Sequence, residues 1–129
     1  GDCAGGLRKN LRQHPLPRLT IAGGFAKLSK LAQGALDLHS GRSQVDMEWL
    51  AEKAGPDLNQ NLREKILSAN TALEVLELTR EEGIDLPAII ARDARQTALD
   101  TLRGAPVAVD ILVTDRAGNI LAQYGTDHD

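Results

Sequence analysis

A chain of 129 residues with a net charge of −3 and a 42 % hydrophobic fraction predicts one soluble domain and disfavours phosphate-backbone binding as its main task. Phe25, Trp49 and Tyr124 are its only aromatic residues, so stacking platforms for single-stranded nucleic acid are nearly absent. Cys3 stands alone and His14, His39 and His128 are widely spaced, so neither an intrachain disulfide nor a zinc site is expected.

From the N-terminus, Asp2 reads as a helix cap, and Cys3, Leu7 and Leu11 repeat on one helical face up to Pro15 and Pro17. Arg18 to Ala22 reads as a short inner strand, apolar enough for a buried, parallel position. Gly23-Gly24 then turns the chain into a second helix. Its core side carries Phe25, Leu28, Ala32, Ala35 and Leu36, while Lys27, Lys30 and Gly34 occupy another sector. Asp37 to Gly41 is a polar break. Ser43-x-x-Asp46 has capping-box spacing and opens a third helix, buried through Met47, Leu50, Ala51 and Ala54 and closed by Gly55-Pro56.

Leu58, Leu62, Ile66, Ala69, Leu73 and Leu76 keep helical spacing, which predicts one long helix with Asn70 and Thr71 inside it. Gly83 and Ile84 suit its C-terminal cap, and Asp85 with Pro87 opens a fifth helix running to about Arg103. Val107 to Val113 alternates as a strand. Asp115 to Asn119 forms a turn, with Gly118 at a left-handed position, and Ile120 to Tyr124 returns as the hairpin partner. Asp110 reads as an edge charge, and Thr126 to Asp129 as a frayed tail. The sum is a helix-rich α/β domain over residues 1–129 with a short inner strand and a C-terminal β-hairpin. No apolar run is long enough for a bilayer and no signal peptide is visible, so the cytoplasm is the expected compartment.

Chemistry concentrates between Leu19 and Asp46. Glycines at the entry of a helix allow close backbone approach, and the unpaired amides of its first turn favour an anion. Lys27 and Lys30, three residues apart, share a side of that helix and suit carboxylates or phosphates. His39, Ser40 and Arg42 add an imidazole, a hydroxyl and a guanidinium in one short loop. Each has a plainer reading: a tight strand-to-helix turn, a solvated lysine face, and helix caps. A hydrolytic triad of Asp37, His39 and Ser40 is a poor fit, because sequence neighbours rarely converge that way and no nucleophile elbow is present.

The chain resembles the C-terminal region of the cobalt-precorrin-5B C(1)-methyltransferase family of anaerobic cobalamin (vitamin B12) biosynthesis. The likeness rests on TIAGGFAKLSKLAQGALDLHS, on GDCAGGL, on ANTALEVLEL and on VDILVTDRAGNIL, and covers roughly Gly1 to Tyr124. It implies a Rossmann-like partial domain of a longer enzyme whose N-terminal region is missing here, and a fragment inactive by itself. It further implies methyl transfer from S-adenosylmethionine to C-1 of a cobalt-precorrin, with cobalt present only as part of that tetrapyrrole. Gly23, Gly24, Lys27, His39 and Ser40 match the family's motif block, and Lys30 and Arg42 add cations for carboxylates. No catalytic residue follows from the match. Two alternatives remain at this stage: a stand-alone anion or small-molecule binding module, and an oligomerisation domain that pairs with a second copy. Neither nucleic acid nor a membrane is an expected partner.

Overall fold

The computed structural model describes residues 16–34, 45–56 and 58–125. The helix expected around Cys3, Leu7 and Leu11, positions Ala35 and Leu36, the polar break, Ser43 and the tail from Thr126 lie outside them.

Strand β1 spans Arg18–Gly24, two residues longer than expected, and runs straight into helix α1, Phe25–Ala32. Gly24 is the helix cap, at φ −74° and ψ 168°. The double glycine is therefore the extended end of a strand and not a turn. Helices α2 (Met47–Ala54), α3 (Gln60–Leu67), α4 (Ala72–Glu81) and α5 (Leu86–Leu102) follow, then β2 (Ala108–Thr114) and β3 (Ile120–Tyr124).

Among the described residues the strands form one sheet in the order β1-β2-β3. β1 pairs parallel with β2, and β2 antiparallel with β3. The parallel pairing and the hairpin match the sequence pattern. The inner position does not: β2 lies centrally, and β1 is an edge strand whose residues are mostly exposed. The reason is packing. Val109, Ile111 and Val113 of β2 are fully buried beneath α1 and α5, and with Phe25, Leu28, Leu50, Ile66, Leu86 and Ile90 they make the centre of the core.

The long helix is divided. Asn59 Oδ1 caps α3 by accepting from the Leu62 amide at 2.7 Å, and the helix stops at Ser68, whose hydroxyl donates back to the Glu64 carbonyl at 2.9 Å. Thr71 then caps α4, its Oγ1 accepting from the Glu74 amide at 3.2 Å, while the Glu74 carboxylate accepts from the Asn70 amide at 2.7 Å. Asn70 and Thr71 are thus a helix start, because a Thr-x-x-Glu box competes with continuation of the helix before it. Asp46 also differs from expectation. It is itself the cap of α2, accepting from Glu48 and Trp49 amides at 2.9 and 3.4 Å.

Other local signals appear as the sequence suggested. The Gly83 amide donates to the Arg80 carbonyl and the Ile84 amide to the Thr79 carbonyl, with Gly83 at φ 74°, the pattern of a Schellman cap. Asp85 caps α5 through the Ala88 amide. Asp110 is a correction: it is a buried residue of the central strand, 7 % exposed, ion-paired with Arg18 of β1. In β3, Leu121 is an extra residue between the pairs Val113↔Ala122 and Thr114↔Ile120. This bulge turns both Leu121 and Ala122 toward the core.

Candidate functional site

In a parallel pair the carboxyl ends of the strands fall on one side, and here they are Gly24 and Thr114, which are register partners. The Thr114 hydroxyl donates to the Gly23 carbonyl at 3.4 Å and ties the two ends together. Helix α1 starts at this point with no side-chain cap and no acidic residue in its first turn. Its amides and the positive end of its dipole are left for another acceptor.

A cleft of about 710 Å³ opens here. One wall is Gly24 with the first turn of α1 through Lys27, a second is α4 from Leu73 to Arg80, and the hairpin turn closes the third. An adjoining cavity of about 260 Å³ shares Leu76, Arg80 and Leu121 with it and reaches Pro87. Arg80 therefore stands at the junction of the two. A Cβ at Gly24 would meet only the Thr114 carbonyl, at 4.0 Å, so the missing side chain is cleft space.

Charge in the cleft is unbalanced. Lys27, Arg80 and Arg116 line it, against the carboxylates of Glu77 and Asp115. The ion pairs among the described residues are Arg18–Asp110, Lys53–Asp93 and Arg92–Asp93, so no salt bridge neutralises a cleft cation. Asp115 is engaged within the turn, accepting from the Asn119 amide at 2.8 Å and from its Nδ2 at 3.0 Å. The Asn119 side chain, and then its backbone N–H, hold the Asp115 carboxyl below its ordinary value of 3.8. It stays ionised and serves the turn. Chemically the site suits an anion with an apolar body, since Leu73, Leu76 and Leu121 supply the rest of the wall.

Of the residues singled out from sequence, Gly24 and Lys27 line the cleft. Gly23 lies behind them, and a Cβ there would sit 3.0 Å from the Lys27 Cδ, so this glycine makes room for the lysine stem. Lys30, half-buried one turn further on, is not part of the wall. His39, Ser40 and Arg42 lie outside the described residues. Glu77, Arg80 and Arg116 were not anticipated. They come from α4 and the hairpin turn, more than fifty positions from Gly24 in sequence, and only the fold brings them together. Among the described residues no group of three or more His, Cys, Asp or Glu side chains is placed to hold a metal ion, and no helix is long and apolar enough to cross a membrane.

The family model for the CbiD C-terminal domain matches residues 37–125. The chain belongs to this family. It is 65 % identical over 126 residues to a protein of Brucella anthropi named cobalt-precorrin-5B C(1)-methyltransferase, an alignment covering 95 % of this chain and 34 % of that relative. Proteins of the same name from Brucella ovis and Brucella suis are 67 % identical over the same length. The chain spans about a third of the length of these curated relatives. No solved structure matches it. The CbiD C-terminal match contains Glu77, Arg80 and Arg116, whereas Gly24 and Lys27 precede it.

Proposed function

We propose that this chain is the C-terminal domain of an enzyme that methylates C-1 of cobalt-precorrin-5B in cobalamin biosynthesis, with S-adenosylmethionine as methyl donor. Its cleft takes a carboxylate of the ligands of that reaction. The name carried by the Brucella relatives supports the reaction. The observation that carries the site is the set of cations Lys27, Arg80 and Arg116, which form no salt bridge among the described residues, around a cleft at the carboxyl ends of two parallel strands. Open α/β sheets bind ligands outside the carboxyl ends of their strands.

The residues fit the methyl donor. The volume of about 710 Å³ lies within the range of roughly 300–1,000 Å³ usual for small-molecule sites. Lys27 and Arg80 are suited to its carboxylate, Glu77 to its ammonium or ribose hydroxyls, and the leucines to its apolar surface. The same cations are suited to the acetate and propionate groups of the tetrapyrrole, so a carboxylate is the shared chemistry. Bound S-adenosylmethionine supplies an electrophilic sulfonium methyl. The ring carbon is the nucleophile, so this chain has no bond to form; its work is to bind, orient and exclude water.

Calorimetric titration of S-adenosylhomocysteine into the full-length enzyme tests the site, comparing wild type with a Gly24→Val, Lys27→Ala double variant. Loss of binding assigns the donor to this cleft. Unchanged binding with a raised KM for cobalt-precorrin-5B assigns the cleft to the tetrapyrrole carboxylates. If neither parameter moves, the cleft is not part of the site.

A further inference from the structure

We propose that the cleft and the cavity beside it form one two-ended site, in which the smaller cavity receives the purine of the methyl donor and Asp85 accepts from its exocyclic amine. The inference rests on the reading above that the cleft holds a carboxylate of this reaction's ligands, and it commits that carboxylate to the donor.

The smaller cavity, of about 260 Å³, is walled by Leu76, Ile84, Pro87 and Leu121, with Arg80 and Asp85 as its charged residues among those described. Gly83 completes the wall, and a Cβ there would meet nothing within 4 Å, so a flat ring can lie against this stretch of backbone. A macrocycle does not fit such a space. A single heterocycle held by aliphatic contact does.

The two compartments have opposite polarity. The cleft stands at the N-terminus of α1, which has no side-chain cap and brings Lys27 with it. The smaller cavity stands where α4 ends, at Gly83 and Ile84, beside the negative end of that helix dipole. Helix α5 also starts here, but Asp85 caps it through the Ala88 amide, and Pro87 has no N–H to offer. That cap engages Asp85 Oδ1, and Oδ2 makes no hydrogen bond among the described residues. A carboxylate oxygen at the wall of an apolar slot suits an N–H donor and repels an anion.

Polarity decides between the two ligands. A tetrapyrrole with acetate and propionate groups around its rim would bring a carboxylate against Asp85. S-adenosylmethionine has a carboxylate at one end and an amine-bearing base at the other, matching the two compartments in order. Arg80 belongs to both, and its N–H donors suit the ribose hydroxyls between the two ends. Glu77, one turn earlier on α4, lines the cleft and offsets the positive charge of the donor.

Calorimetry on the full-length protein tests this with S-adenosylhomocysteine and with methylthioadenosine, which lacks the amino-acid end. Asp85→Asn keeps the cap, since asparagine caps as well as aspartate, but it turns an amide donor toward the ring amine. Affinity for both ligands should fall about 10-fold or more, the effect of losing a hydrogen bond to a charged acceptor. Ile84→Trp, which fills the smaller cavity, should weaken both in the same way. The Gly24→Val, Lys27→Ala variant should weaken S-adenosylhomocysteine and leave methylthioadenosine unchanged. If that double variant loses S-adenosylhomocysteine while Asp85→Asn and Ile84→Trp bind it as wild type does, the carboxylate cleft stands and the two-ended site is overturned. Wild-type affinities in all three variants overturn both. Failure of methylthioadenosine to compete with S-adenosylhomocysteine also overturns the two-ended site.

Discussion

The Nε of Arg95 donates to the Val109 carbonyl at 2.8 Å, on the part of the central strand beyond its pairing with β3 among the described residues. Pairing with β3 begins at Ile111↔Tyr124, and the Val109 backbone points to that same side. A guanidinium from α5, 6 % exposed and 6.0 Å from the centre of the Tyr124 ring, completes the ladder. This places a charged residue in a core position where the helical pattern asks for an apolar one. Arg95→Met should cost about 2 kcal/mol, the range for a buried bond from a charged donor. A denaturant midpoint within error of wild type would show that the contact contributes nothing.

Division of the α3–α4 segment rests on Thr71, whose hydroxyl accepts from the Glu74 amide, and on Glu74, whose carboxylate accepts from the Asn70 amide. Thr71→Ala should cost about 1 kcal/mol. Glu74→Ala in that background should cost less than in wild type, since the two side chains serve one motif. Thermal unfolding of the four proteins in the cycle reads the coupling, and strict additivity would reject it.

Gly125 is fixed by its neighbour rather than by its dihedral angles. An ideal Cβ there would lie 2.9 Å from Asp110 Cγ and closer still to Oδ1, on a carboxylate already held by Arg18. Gly125→Ala should destabilise by about 1–3 kcal/mol, the range for overpacking. In an Asp110→Ala background the clash is gone and the same substitution should be nearly neutral. An equal cost in both backgrounds would point to a different cause.

Gly23 offers a way to move Lys27 without removing it. A Cβ at this position meets the Lys27 Cδ at 3.0 Å and Leu28 Cδ2 at 3.6 Å. The lysine stem is flexible, so Gly23→Ala should change stability by less than about 1 kcal/mol. Displacing the ammonium should weaken carboxylate binding about 3- to 10-fold, at about 1.4 kcal/mol per tenfold. Ligand affinity equal to wild type, measured by calorimetry on the full-length protein, would take Lys27 out of contact.

Acid titration isolates the hairpin turn. Hydrogen bonds from the Asn119 side chain and backbone lower the Asp115 pKa below 3.8. A depressed folded value means the turn gains from the ionised carboxylate at every pH above 3.8, and loses that gain as pH falls through the folded value. Carboxyl-carbon NMR should find the midpoint below 3.8 in wild type, and closer to 3.8 after Asn119→Ala. A midpoint unmoved by that substitution would contradict the assignment.

By itself the sequence determined what short-range forces decide: the alternation of Val107 to Val113, the turn at Gly118, the Schellman cap at Gly83 and Ile84, and the Asp85 start of α5. Each is a hydrogen bond or a periodicity completed within a few residues. The break before Thr71 also has a local signal, Thr-x-x-Glu, but it was masked because Leu58 to Leu76 keeps one helical phase across the gap. The remaining relations come from packing. Among the described residues it set β2 between β1 and β3, paired the buried Asp110 with Arg18, and brought Lys27, Arg80 and Arg116 around one cleft. Those relations join residues far apart in sequence, Arg18 with Asp110 and Lys27 with Arg80 and Arg116. They depend on which faces pack against one another, and local periodicity carries no record of that choice.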